Sequence, residues 1–132
     1  MSYKNYSSSI GTMTTQLVFV PKYRHKIFAH EQIKRRCSEL FHSIAKQYSM
    51  EIIEEGFNID HVHLVVDLGN KTSAAKAAQL LKGITARLLF EEFPWLRSRY
   101  FWGGHLWSPA YFFGSVGRNI DEARAYVRNQ DN

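Results

Sequence analysis

The chain has 132 residues, of which 45% are hydrophobic and 22% are charged. This balance is that of a folded globular domain and excludes an intrinsically disordered chain. No apolar run approaches the roughly 18 residues of a membrane span, and none has the form of a signal segment. We therefore expect one cytoplasmic domain over residues 1–132. The net charge of +5 and the isoelectric point of about 9.4 favour a polyanionic partner, because basic surfaces gain affinity by releasing counterions.

Periodic patterns predict a series of strands and helices. Strands are indicated by β-branched and aromatic residues, and helices by apolar residues that recur every three to four positions. In chain order these are a strand at Thr14–Val20, a helix at Glu31–Ser49, a strand at Glu51–Phe57 with a bend or bulge at Gly56, a strand at Ile59–Leu68, a helix from Ser73 to Phe90, a strand–turn–strand unit at Tyr100–Gly114 and a short helix from Asn119. Two helices on one face of a mainly antiparallel sheet form the α+β, ferredoxin-like (RRM-like) layout. The other face of the sheet is then open for a functional site.

The spacing within the helices predicts which residues are buried. The first helix carries Cys37 in phase with apolar residues, so we interpret this cysteine as a core residue and not as a nucleophile. Ser73 is the predicted N-cap of the second helix, and Asn119 with Glu122 forms a capping pattern for the last helix. The residues predicted to point inward from the second helix are Ala77, Leu80, Leu81, Ile84 and Leu88.

The strand at Ile59–Leu68 alternates most clearly and places His61 and His63 on one face. Residues i and i+2 of a strand lie ~6.5–7 Å apart on the same side, so two imidazoles can converge on one metal ion. Alone, such a pair is more often two hydrogen-bonded surface or core histidines. The opposite side of the strand is aliphatic and can form the core by itself. The histidine side is therefore available for another role, which favours a metal site. The aliphatic residues are Val62, Leu64, Val66 and Leu68.

Tyr126 and Gln130 form the second chemical feature. They are separated by four residues in the last predicted helix, so they lie on one helix face, one turn apart. A phenol with a pKa of about 10 is a weak nucleophile and needs a polarised electrophile or a nearby base. The amide oxygen of Gln130 can supply a third metal ligand. The alternative is that Tyr126 is only an amphipathic core residue, and its conjunction with the histidine pair favours the catalytic interpretation.

Several motifs in order resemble one family over nearly the whole chain. The motifs are Phe19–Arg24, His61–His63, Leu81–Gly83, Leu106–Phe112, Val116–Gly117 and Tyr126–Gln130. They resemble the single-tyrosine HUH transposases of small insertion sequences that move as single-stranded DNA (the TnpA type, with the REP-associated tyrosine transposases as relatives). Two departures concern residues 67–71, which lack the prolines often found there, and Ala110, where glycine is common. Neither departure touches the proposed chemistry.

The resemblance implies a reaction and a set of roles. It implies His61, His63 and Gln130 as ligands of a divalent metal, Mg²⁺ or Mn²⁺, although imidazoles also accept Zn²⁺. It implies Tyr126 as the nucleophile that forms a 5′-phosphotyrosine link to DNA. It further implies an obligate homodimer, in which Tyr126 of one subunit can complete the site of the other. The implied substrates are hairpins at the single-stranded ends of the element.

Basic and aromatic residues predict where DNA is bound. The candidates for phosphate contacts are Lys22, Arg24, Lys26, Lys82, Arg87, Arg124 and Arg128, and each of them can equally be a solvated charge. The candidates for stacking on unpaired bases are Trp102, Trp107, Tyr111, Phe112 and Phe113. For most of these aromatic residues a place in the core is the better interpretation, since aromatic side chains dominate small cores.

Other classes of protein stay open at this point. A nucleic-acid-binding ferredoxin-like domain without catalysis explains the charge but not the histidine pair. An inactive relative of the transposases has the same sequence pattern if its site residues survive. A two-histidine phosphoesterase needs a second His-x-Ser/Thr motif, which is absent from the sequence. A zinc hydrolase needs a third charged or histidine ligand, for which Asp67 is the candidate.

Overall fold

The computed structural model describes residues 13–115 and 120–129. The strands are β1 (Thr14–Phe19), β2 (Glu51–Asn58), β3 (His61–Asp67) and β4 (Phe112–Ser115), and the helices are α1 (Glu31–Gln47), α2 (Ala74–Glu92), α3 (Pro94–Arg99) and α4 (Ile120–Asn129). Two short 3-10 turns, Lys22–Arg24 and Ile27–Ala29, lie between β1 and α1. None of the described helices is long and apolar enough to cross a membrane.

The strands form one antiparallel sheet in the order β2-β3-β1-β4. This order, with the element sequence β-α-β-β-α-β, is the ferredoxin-like topology, and the predicted α+β fold is confirmed. In the centre of the sheet, Val18 of β1 pairs with His63 of β3 on one side and with Phe112 of β4 on the other. Directly paired residues of neighbouring strands point to the same face. Val18, His63 and Phe112 therefore form one row across the sheet.

The two faces of β3 differ as its alternation predicted. Val62, Leu64 and Val66 have no exposed surface and belong to the main core, whereas His61 and His63 are half-buried on the other face. In α1, Cys37 is fully buried, and this burial raises the pKa of its thiol well above the ordinary value. The interpretation of Cys37 as a core residue is confirmed.

The buried stripe of α2 is rotated relative to the predicted one. Its buried residues are Ala77, Ala78, Leu81, Thr85 and Leu89. Those that were predicted to point inward but are only partly buried are Leu80, Ile84 and Leu88. The rotation places Thr85 in the core, where its hydroxyl donates to the Leu81 carbonyl at 2.6 Å, so a polar side chain is accommodated there. The cap at Ser73 is confirmed, because its hydroxyl accepts from the Lys76 amide at 3.1 Å.

The irregularity of β2 lies at Ile53, and the predicted bend or bulge at Gly56 is wrong. The register shifts between Ile52 and Glu54, while Gly56 pairs regularly with His63. Ile52 and Phe57 both pack against the main core although five positions separate them. In an uninterrupted strand, residues at an odd separation point to opposite faces. One extra residue between them corrects the phase, and this is the physical reason for the bulge.

The predicted strand–turn–strand unit at Tyr100–Gly114 is wrong in its first half. Only β4 is a strand there, and residues 101–111 form no strand beyond one bridge between Trp107 and Pro21. The chain is instead anchored by backbone hydrogen bonds from Lys22 to Leu106 (2.8 Å) and from Ser108 to Val20 (2.7 Å). Trp107 is thereby buried at 5% exposure. Its aromatic side chain fills the core.

Thr85 connects this segment to α2, which leads to a stability prediction. The indole Nε1 of Trp107 donates to the Thr85 hydroxyl at 3.1 Å, and both groups are buried. We expect Thr85→Val to lower the free energy of unfolding by about 1–3 kcal/mol, because it leaves the indole N–H without its acceptor. Thr85→Ser keeps the hydroxyl and is the control. Urea unfolding of the two variants measures the difference, and equal losses in both would contradict this role.

Candidate active site

His61 stands at the start of β3 with both ring nitrogens hydrogen-bonded. Its Nδ1 lies 3.0 Å from Oδ1 of Asp60, and its Nε2 lies 3.1 Å from the side-chain amide nitrogen of Asn58. A carboxylate only accepts a hydrogen bond, and an amide nitrogen only donates one. The hydrogen-bond pattern therefore assigns the proton to Nδ1 and the lone pair to Nε2. Asp60 lies in the tight turn between β2 and β3, so the hairpin itself brings the carboxylate beside the ring.

Asp60 is held in turn by Arg24. The Nε of Arg24 lies 2.7 Å from Oδ2 of Asp60, and the two side chains are only 19% and 14% exposed. Burial opposes ionisation of the carboxyl, but the hydrogen bond from His61 and the charge of Arg24 outweigh it and hold the pKa of Asp60 below its ordinary value. Asp60 is therefore ionised at neutral pH. Arg24 thus has an intramolecular partner, and its phosphate contact stays a prediction.

His63 is hydrogen-bonded to Gln16, a residue that the sequence analysis missed. Its Nε2 lies 2.7 Å from the amide oxygen of Gln16, which is 1% exposed in the centre of β1. Burial is the main cause that lowers the pKa of His63 below its ordinary value. The signal was present in the sequence, since Gln16 is an amide within the apolar run Thr14–Val20, in phase with Val18. A buried amide in such a strand needs a polar partner on the same face.

This lowered pKa predicts how stability depends on pH. Because burial favours neutral His63, the unfolded chain takes up this proton more readily than the folded protein does. The contribution of His63 is fully present above the unfolded-state pKa of about 6.5 and is lost as the pH falls through the lower folded-state pKa. We expect the free energy of unfolding to decrease between pH 7.5 and 5 more steeply in the wild type than in His63→Gln. Urea titrations at several pH values test this, and parallel profiles would disprove it.

Tyr126 lies on α4, which packs against the histidine face of the sheet. Val127 of α4 is buried against Val18 and Val20, and the ring of Tyr126 lies 6.0 Å from that of Phe112. The face that was predicted to be open is therefore partly covered. Phe112 belongs to the same row as His63, and two strand spacings separate their backbones by ~10 Å.

The hydroxyl of Tyr126 is the unusual group of this site. It is buried, and within the described residues it has no hydrogen-bond partner. Burial also raises the pKa of this phenol above its ordinary value, so the group is protonated at neutral pH. Buried polar groups are nearly always hydrogen-bonded, and an exception calls for a functional explanation. A bound ligand that accepts from this hydroxyl would supply one.

The other predicted metal ligands contribute less to the described site. Gln130 and the capping pair of Asn119 with the side chain of Glu122 lie outside the described residues. In the described part of the chain, no three His, Cys, Asp or Glu side chains are grouped to hold a metal ion. Asp67, the third ligand of the zinc-hydrolase alternative, instead accepts from the backbone amide of Gly69 at 3.0 Å. Within the described residues, the candidate metal ligands are therefore the two histidines.

The predicted DNA contacts fall into two groups. Lys82 is half-buried: its Nζ donates to the Ser108 carbonyl at 2.8 Å and lies 5.1 Å from the ring centre of Tyr111. Burial lowers the pKa of Lys82, so the structure gives this side chain an intramolecular role. The partly or fully exposed cations are Lys22, Lys26, Arg87 and Arg128, and the side chain of Arg124 lies outside the described residues. None of these phosphate contacts is tested, and they stay predictions.

Two very exposed aromatic side chains stand out. Trp102 is 82% exposed, as a stacking residue requires, whereas Trp107 is buried and has a core role. Tyr23 was missed and is 68% exposed. It lies in the turn after β1 with the left-handed φ of 60°, and the next residue, Arg24, has a φ of 56°. Neighbouring non-glycine residues in this region are strained. Neither residue is a glycine or an asparagine, so the residue types did not indicate a left-handed turn here.

A ferredoxin-like sheet with a histidine pair on one face and a tyrosine-bearing helix against it defines a small α+β domain with a polar site. A family model described as "Transposase IS200 like" matches residues 9–130. The chain therefore belongs to the family of IS200-like transposases, and the resemblance of its motifs is confirmed.

Two curated relatives support the assignment. The ISDra2 transposase TnpA of Deinococcus radiodurans is 30% identical over 115 residues, which cover 86% of this chain and 81% of that protein. The transposase for insertion sequence element IS200 of Salmonella typhimurium is 27% identical over 114 residues, which cover 86% of this chain and 74% of that protein. Both comparisons extend over most of each chain.

Solved structures agree with the fold. A crystal structure of a protein from Deinococcus radiodurans R1, assigned there as a transposase, superposes with a TM-score of 0.80 at 29% identity and covers 89% of both chains. The structure of a REP-associated tyrosine transposase bound to a REP hairpin superposes with a TM-score of 0.57 at 14% identity and covers 89% of this chain and 64% of that one. At this lower identity the second comparison supports the fold alone.

Proposed function

We propose that this transposase cleaves and rejoins single-stranded DNA at the ends of an insertion sequence, with Tyr126 as the nucleophile. The observation that carries this proposal is the Tyr126 hydroxyl, which is buried and without a partner among the described residues. It belongs to a helix that packs against the face bearing His61 and His63. A phosphate oxygen of bound DNA would accept the hydrogen bond that this hydroxyl lacks.

The reaction exchanges one phosphoester for another. The phenolic oxygen of Tyr126 attacks the phosphorus, the bond from phosphorus to the 3′ oxygen breaks, and a 5′-phosphotyrosine ester and a free 3′-hydroxyl result. The phenol gives up its proton, and the departing 3′ oxygen gains one. Because burial raises the pKa of Tyr126, attack requires a proton acceptor. The ester conserves the energy of the broken bond, so attack by a 3′-hydroxyl rejoins the strand without ATP and restores the tyrosine.

His61, His63 and Gln130 would hold the divalent ion, Mg²⁺ or Mn²⁺, that this chemistry uses. His61 fits this role, because its hydrogen bond to Asp60 keeps the proton on Nδ1, and ligation through Nε2 would replace the hydrogen bond from Asn58. For His63, ligation through Nε2 would replace the hydrogen bond to Gln16. Two imidazoles and one amide are neutral and leave room for phosphate and water oxygens. When bound, the ion supplies Lewis-acid polarisation of the phosphate.

The proposed partners are single-stranded DNA with hairpins at the element ends and a second copy of the chain. The net charge of +5 suits a polyanion, and the REP-associated relative is bound to a hairpin in its structure. Lys26 is exposed and Lys22 is partly exposed, so both are available for phosphates. We propose a homodimer and a cytoplasmic location from the family to which the chain belongs.

A covalent-adduct gel tests the proposed function. Labelled single strands from both flanks of the gene are mixed with the protein and Mg²⁺ or Mn²⁺ and then denatured. A shifted band that disappears with a chelator supports a tyrosine strand transferase. Tight binding of the same strands without a band would instead favour a nucleic-acid-binding module of the same fold. Absence of both the band and binding, for single strands and duplex alike, would contradict DNA as the substrate.

A further inference from the structure

We propose that Arg24 and Asp60 form a positioning pair that fixes the ring orientation and the tautomer of His61. The inference rests on the proposed function, since it concerns how a proposed metal ligand is presented. It assigns to Arg24 a task different from the phosphate contact predicted for it. Neither residue touches the reacting atoms in this proposal; both act through His61.

The contacts of Asp60 carry the proposal. One carboxylate oxygen accepts from Nδ1 of His61 at 3.0 Å, and the other lies 2.7 Å from Nε of Arg24. Each oxygen thus has a charged or ring N–H partner, and the carboxylate cannot rotate without breaking one of the two bonds. Both side chains of the ion pair are less than one-fifth exposed, so solvent competes weakly for them. Hydrogen bonds to ionised groups are the stronger ones, and a carboxylate on Nδ1 fixes the proton there.

The backbone conformation around Arg24 is consistent with a requirement for its side chain to reach Asp60. Tyr23 and Arg24 both have left-handed φ angles, 60° and 56°, a conformation that is unfavourable for residues other than glycine. The turn is closed by hydrogen bonds from the Arg24 amide to the Pro21 carbonyl (2.7 Å) and from the Lys22 amide to the Leu106 carbonyl (2.8 Å). Such backbone outliers persist where the surrounding structure needs them. Here the strained turn delivers the guanidinium to Asp60.

The other histidine provides a contrast within the same site. The partner of His63 is the neutral amide of Gln16, whereas the partner of His61 is an ionised carboxylate that is itself paired with a cation. A carboxylate behind a ligating histidine increases the basicity of the ligand. His61 is therefore the stronger electron-pair donor to a metal ion of the two histidines, because Asp60 and Arg24 lie behind it.

The test measures the His61 ring directly and does not depend on catalysis. Long-range ¹H–¹⁵N spectra of the metal-free protein report the tautomer, and the same spectra with added Mn²⁺ or Mg²⁺ report metal affinity at His61. We expect the Nδ1–H tautomer in the wild type and a mixed population in Asp60→Leu, with metal affinity lower by about 10- to 100-fold. Asp60→Asn keeps one acceptor and should rescue the tautomer in part. It also provides the second variant should Asp60→Leu fail to fold.

The role of Arg24 is tested against the alternative that its side chain contacts a DNA phosphate. We expect Arg24→Met to weaken the tautomer preference and the metal affinity, Arg24→Lys to restore them in part, and Arg35→Met, which removes an exposed cation of α1, to change neither. A phosphate contact of Arg24 would instead weaken DNA binding and reduce the slope of log affinity against log salt concentration by about one. That result, with unchanged spectra and unchanged metal affinity in Arg24→Met, would overturn the pairing of Arg24 with Asp60. An unchanged tautomer in both Asp60 variants would overturn the role of Asp60. If the wild type bound no metal, the proposed function would fail. The tautomer of His61 in the variants would still show whether Asp60 and Arg24 position the ring.

Discussion

Tyr126→Phe is expected to abolish the covalent protein–DNA adduct and to weaken DNA binding by only about tenfold, the contribution of one hydrogen bond to a phosphate. The substitution removes only the phenolic oxygen, which is the atom that would bond to phosphorus. The ring contact with Phe112 and the packing of Val127 on Val18 and Val20 do not involve that oxygen. Denaturing gels with labelled strands measure the adduct, and fluorescence anisotropy of the same strands measures binding.

Tyr111→Phe is the matched control for this result. Tyr111 is also a partly buried tyrosine beside the sheet, and its ring packs against Phe19 at 6.2 Å. We expect this variant to form the adduct as the wild type does, because its hydroxyl has no role in the reaction. An adduct that persisted in Tyr126→Phe and was lost in Tyr111→Phe would move the nucleophile to Tyr111 and refute the assignment.

His61→Ala and His63→Ala are each expected to reduce DNA cleavage by at least about 100-fold, the order of loss seen when a charge-stabilising group is removed from a catalytic site. Either change removes one of the two imidazoles proposed to hold the metal ion. Single-turnover cleavage at several Mn²⁺ concentrations measures the effect. A loss that high Mn²⁺ partly restores identifies weaker metal binding, whereas full activity without either histidine would rule out the metal assignment.

The two histidines offer a comparison with each other. His61 has an ionised partner and His63 a neutral one, so the loss of metal affinity should be larger in His61→Ala. His42→Ala is the control, because His42 lies on α1, 52% exposed, and its Nε2 contacts Glu55 at 3.3 Å. We expect cleavage by this control to equal that of the wild type.

The parts of the fold that were predictable depend on local patterns. The alternation of β3 gave the faces of Val62 and His63 correctly, because a strand with one buried face repeats every two residues. The bulge at Ile53 was not predictable locally, since it exists to bring both Ile52 and Phe57 to the core. A short helix was likewise missed at Pro94–Arg99, although proline is favoured in the first turn of a helix.

The candidate site shows the same difference between local patterns and contacts of distant residues. The histidine pair and Tyr126 could be named from spacing and family resemblance, whereas the contacts of Gln16 with His63 and of Arg24 with Asp60 could not. Gln16 and His63 are 47 positions apart, and Arg24 and Asp60 are 36 positions apart. Such contacts follow from the order of strands in the sheet and from the turn after β1. The same holds for Lys82, whose ammonium donates to the Ser108 carbonyl 26 positions away.

The buried hydroxyl of Tyr126 also bears on how copies of such a gene change when selection is relaxed. A buried hydroxyl left without any partner destabilises the folded chain by about 1–3 kcal/mol; the Tyr126 hydroxyl, on which the proposed transposition depends, has none among the described residues. Replacement of Tyr126 by phenylalanine would therefore silence a copy and stabilise its fold in a single step. Inactive copies of the protein that still bind DNA can then arise by mutation without any loss of stability on the way.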